Sequence, residues 1–100
     1  MEVHWRNPGE LEDSNREAAE ERIAKLAEGH QDLIDIWVDV EVANPHHRQG
    51  PRKVTIRCQA RRAELVAHGT ASEPEPALHD ALEVFSREVH RLRDKRRERR

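Results

Sequence analysis

Between residues 33 and 42 the chain reads LIDIWVDVEV, where Ile34, Ile36, Val38, Val40 and Val42 alternate with Asp35, Trp37, Asp39 and Glu41. A period of two gives an extended strand one apolar and one mostly polar face, as fits a sheet covered on one side only. The same alternation predicts a strand over 53–60, with Val54, Ile56, Cys58 and Ala60 facing one way and Lys53, Thr55, Arg57 and Gln59 the other. Arg61-Arg62-Ala63 predicts a turn into a fourth strand over about 64–71. Its register stays open, since Leu65/Ala67/Gly69 and Val66/His68/Thr70 both form possible inner sets. A shorter alternation over 2–6, with Val3 and Trp5 opposite His4, predicts a first strand ended by the turn Asn7-Pro8-Gly9.

Two stretches carry the helical period instead. Ser14-x-x-Glu17 has the form of a capping box, and Ala19, Ile23, Leu26 and Ala27 follow at helical spacing. Gly29 is placed to stop that helix. Glu73-Pro74-Glu75-Pro76 opens the last helix, with acid at the positive end of the dipole and proline in the first turn. Leu78, Leu82, Phe85, Val89 and Leu92 then recur at spacings of 4, 3, 4 and 3, a single apolar stripe. The order β-α-β-β-β-α predicts an α+β fold. It is a four-stranded mixed sheet with two helices on one face, the first two strands parallel through a right-handed crossover.

Composition narrows the picture. One hundred residues make one small domain, 1–100. Leu, Ile, Val and Phe number only 20, so the core is thin and depends on strict patterning. No apolar run approaches the ~18 residues of a membrane span, and no signal-peptide core follows Met1, so the expected location is the cytoplasm. The lone Cys58 excludes an internal disulfide.

The net charge of −2 hides an asymmetry. Residues 1–50 hold 5 basic and 12 acidic side chains, and residues 51–100 hold 13 and 8. The last ten, RLRDKRRERR, are seven basic and two acidic. Such a gradient points to a polyanionic partner, although a solvated helix end gives the same pattern. At ~100° per residue, Arg87, Arg91 and Lys95 share one outward face. Arg93 and Arg97 lie to another side, and Arg96 returns to the stripe direction. Glu83 with Arg87 and Asp94 with Arg97 are ordinary helix pairs. On the first helix Arg22 and Lys25 flank the apolar stripe, placed to join a shared basic rim. Arg48 stands in the 43–51 loop, and Lys53 and Arg57 point off the uncovered sheet face, where pairing with Asp39 or Glu41 is the simpler reading. Trp37 on that face is a candidate for stacking on a base or for contacting another chain.

Catalytic readings find little support. His46, His47 and Cys58 do not match zinc-ligand spacing. The chain has no Gly-rich phosphate loop and no nucleophile motif. The expectation is a protein that is not an enzyme and needs neither metal nor cofactor.

The element order, the stretch EERIAKLAEGHQDLIDIWVDVEV (20–42), the HRQG loop (47–50) and DALEVFSREVHRLRDKRRERR (80–100) resemble the ribosome hibernation-promoting factor and ribosome-associated inhibitor family, in its short, sigma-54-modulation-protein-like form. The resemblance implies binding to the small ribosomal subunit through ribosomal RNA at the decoding region. Messenger and transfer RNA are then blocked, translation is inhibited and idle ribosomes are protected. It implies no membrane or DNA partner and a monomer when free. The family's basic positions fall on Lys25 and on Arg87, Arg91, Arg93, Lys95, Arg96 and Arg97. Where members have an Asp, an aliphatic residue and a Tyr at the start of the last helix, this chain has Glu75-Pro76-Ala77, so any contact made by that Tyr does not carry over. The fold is also similar to the double-stranded-RNA-binding domain. That module needs lysines where this chain has Glu73 and Glu75, so duplex binding ranks lower. The competing reading is a protein–protein module pairing through its open sheet face or an edge strand, without ribosome binding.

Overall fold

The alternating segments become strands and the 3.6-period segments become helices. A computed structural model describes residues 1–42 and 50–98, with side chains through Lys95. In chain order the elements are β1 (Val3–Arg6), a 3-10 turn (Pro8–Glu10), α1 (Asp13–Ala27), β2 (Leu33–Val42), β3 (Arg52–Ala60), β4 (Ala63–Ala71) and α2 (Pro74–Glu98). The sheet order is β1-β2-β3-β4, with β1 parallel to β2 and the other pairs antiparallel. This is the predicted α+β architecture.

The apolar faces of the strands and the stripes of both helices close one core. Ile23 of α1, Ile36 and Val38 of β2, Ile56 of β3, and Phe85 and Val89 of α2 are completely buried in it. Cys58 joins them, and burial pushes its thiol up to about 11.

Three expectations are sharpened or corrected. In β4 the inner set is Leu65, Ala67 and Gly69, while Val66 is exposed. Gly69 explains the choice: α2 crosses so closely that a Cβ there would run into the backbone of Ala77 and Ala81. In β2 the register shifts between Leu33 and Asp35. That bulge turns Leu33 into the core and leaves Ile34, predicted to face inward, 46% exposed. Helix α1 begins one residue before the predicted cap. Glu12 is its N-cap, without a side-chain cap bond, and the Glu12 carbonyl accepts from the amides of Asn15 and Arg16. Ser14 is therefore inside the first turn. Gly29 ends the helix as predicted, at φ +74°.

Candidate nucleic-acid interface

Helix α2 is amphipathic only as far as the sheet supports it. Its stripe is buried through Val89 and half-buried at Leu92, and the helix runs on to Glu98. Opposite the stripe, Arg87, His90, Arg91, Asp94 and Lys95 line a shallow, open groove of about 510 Å³. Their spacing is that of one helix face.

Arg87, Arg91 and Lys95 are all exposed. The predicted Glu83–Arg87 pair is replaced by a longer-range contact. Arg22 reaches from α1 and donates to Glu83 Oε1 at 2.6 Å, and this bond holds the Glu83 carboxyl below its ordinary value. His79 lies 3.8 Å from the same oxygen. Arg87 makes no close ion pair among the described residues, although its charge also helps to lower the Glu83 carboxyl, and Lys95 makes none either. Arg91 lies 3.3 Å from Glu88, an exposed pair worth under ~1 kcal/mol. Arg22 thus ties the helices together more than it adds to a basic rim, whereas Lys25 is exposed and without an ion-pair partner among the described residues.

Arg93 turns inward. Its Nε and Nη2 donate to the Asp32 carboxylate at 2.8 and 3.0 Å, and Nη2 also donates to the Leu26 carbonyl at 2.8 Å. Both side chains are largely buried. The Arg93 hydrogen bonds keep the Asp32 carboxyl below its usual range despite burial. Arg93 therefore clamps α2 to the end of α1 and to the segment before β2, and its guanidinium is spent inside the fold.

The open sheet face is a mixed surface. Lys53 stands opposite Glu41 and Thr70 in register, and Arg57 opposite Trp37 and Val66. Arg57 lies 3.5 Å from Glu64 on β4, not beside Asp39 or Glu41, because the register places the Glu64 row next to it. Trp37 stacks on His4, ring centroids 5.5 Å apart. The cations Arg6, Lys53 and Arg57 are matched there by Asp35, Asp39, Glu41 and Glu64, so this face builds no net positive potential. Arg48, with His46 and His47, lies outside the described residues, as do the side chains of Arg96 and Arg97. No group of three metal-ligating side chains occurs among the described residues.

The fold is thus a small two-layer α+β domain that presents one outward basic helix face. Residues 1–97 match the family described as Sigma 54 modulation protein / S30EA ribosomal protein, and the chain belongs to that family. Its fold is shared by several solved structures. A ribosomal subunit interface protein from Coxiella burnetii superposes with a TM-score of 0.75 at 8% identity, covering 94% of this chain and 99% of that one. The N-terminal domain of Thermus thermophilus Protein Y gives 0.68 at 17% identity, covering 92% and 96%. No curated protein matches the chain in sequence.

Proposed function

We propose that this chain is a ribosome dormancy factor. It binds the small subunit at the decoding region, excludes messenger and transfer RNA, inhibits translation and protects idle ribosomes. Residues 1–100 act as one ribosome-binding domain with a basic tail from about 93 to 100, monomeric when free and without catalytic activity. Its partner is ribosomal RNA, with no DNA or membrane. The carrying observation is the exposed Arg87–Arg91–Lys95 face of α2, on which Arg91 alone makes a close ion pair among the described residues. Family membership points the same way. Ribosomal RNA is a dense phosphate surface, bound by charge neutralisation and counterion release with little need to read bases. A plug at such a site requires shape and a positive face rather than chemistry.

The test is pelleting with small subunits across a salt series, paired with in vitro translation. The wild-type chain co-sediments and inhibits. The triple reversal Arg87→Glu, Arg91→Glu, Lys95→Glu loses both, while its Tm stays close to wild type because exposed positions shift stability by only about 0.5 kcal/mol. A triple variant that still pellets at wild-type strength sinks the helix mechanism. The competing protein–protein reading draws on Trp37 and Val66, 42% and 45% exposed on the open sheet face. A dimer by light scattering that never pellets with ribosomes would favour it.

A further inference from the structure

The β3–β4 connection is a tight one. Pairing continues to Ala60 opposite Ala63, so Arg61 and Arg62 make the turn between them. Arg62 sits at φ +61°, in the left-handed region that Gly and Asn occupy at lower cost. A long charged side chain held in that conformation calls for a reason beyond chain reversal. The Arg62 side chain is exposed and has no partner among the described residues.

The turn is fastened to the basic end of the molecule. The Arg61 amide donates to the Asp32 carbonyl at 2.8 Å. The carboxylate of that same Asp32 grips Arg93, which also holds the Leu26 carbonyl beside the exposed Lys25. The lengths agree: α2 covers about 28 Å from Pro74 to Arg93 at 1.5 Å per residue. Strand β4 covers about 30 Å from Ala71 back to Arg62 at 3.3 Å per residue. Both end where α2 leaves the core.

We infer that Arg62 forms a second phosphate-binding corner, at the end of the sheet that Asp32 ties to Arg93 of α2, and takes the phosphodiester backbone of RNA there. This rests on the ribosome-binding reading above and adds a contact that the pattern of helix cations does not reveal. A guanidinium presents a planar fork that matches phosphate oxygens bidentately. Carried on a two-residue turn anchored through Asp32, it loses little backbone freedom on binding. Such a contact positions the protein on the RNA without reading sequence.

The experiment compares the full chain with Arg62→Gly and Arg62→Lys by pelleting with small subunits across a salt series, alongside thermal unfolding. Glycine relieves the left-handed backbone, so Arg62→Gly keeps or raises Tm. It binds about tenfold more weakly, and its log–log salt slope is shallower by about 1. Arg62→Lys keeps the charge and recovers most of the affinity. An Arg62→Gly chain with wild-type affinity and slope overturns the corner while leaving ribosome binding standing. Loss of affinity accompanied by a lower Tm assigns Arg62 to folding and also overturns it. A wild-type chain that fails to pellet overturns both readings together.

Discussion

Arg91 and Arg93 carry the same charge two positions apart on α2, yet one faces solvent and the other fills a polar site inside the fold. Truncating Arg93→Ala leaves the Asp32 carboxylate largely buried and unpaired, at a cost of roughly 3 kcal/mol. Arg91→Ala stays within about 0.5 kcal/mol. Urea unfolding separates the two. The pair also sets an acid limb. Asp32 has a folded-state pKa below its unfolded value, chiefly because Arg93 hydrogen-bonds the carboxylate. Its contribution is therefore complete above the ordinary Asp value of about 3.9 and is lost as pH falls through the lowered one. Stability measured from neutral pH into that range falls in the wild type, and Arg93→Ala loses this part of the fall. The helical wheel places Arg93 off the apolar stripe correctly. Its partner, 61 positions earlier in the chain, leaves no local trace, so the inward role was not legible in the sequence. Arg22 misled in the same way, because Glu83 lies on the other helix.

At the level of elements, periodicity predicted every strand and both helices, and their order and pairing followed. What it missed came from tertiary contact. The bulge at the start of β2 inverts Leu33 and Ile34 against strict alternation. The choice of β4 register was made by α2, which leaves room only for hydrogen at Gly69. The capping-box pattern at Ser14 matched a motif two residues out of place, since Glu12 is the N-cap of α1 and its carbonyl accepts the first amides. Ser14→Ala should consequently cost only a few tenths of a kcal/mol by thermal unfolding, against about 1 kcal/mol for loss of a working serine cap. The outward face of α2, by contrast, was fully legible, because a helix face depends only on spacing.

Over the whole molecule, the near-zero net charge resolves into two surfaces of different character. The open sheet face balances its cations with carboxylates, and among the described residues the outer face of α2 does so less fully. Salt should therefore act on binding far more than on folding. Each phosphate contact contributes about 0.7–0.9 to the log–log slope of affinity against salt, so the triple reversal on α2 should flatten that slope by roughly 2 to 3. Beneath both surfaces lies Cys58, buried in β3 with its thiol pushed up to about 11. A thiol so placed meets reagent as a thiolate only when the sheet opens. Its labelling rate thus serves as an internal clock of unfolding. Run with and without small subunits, that clock reads how far the bound ribosome slows the opening of the fold, with no probe added to either surface.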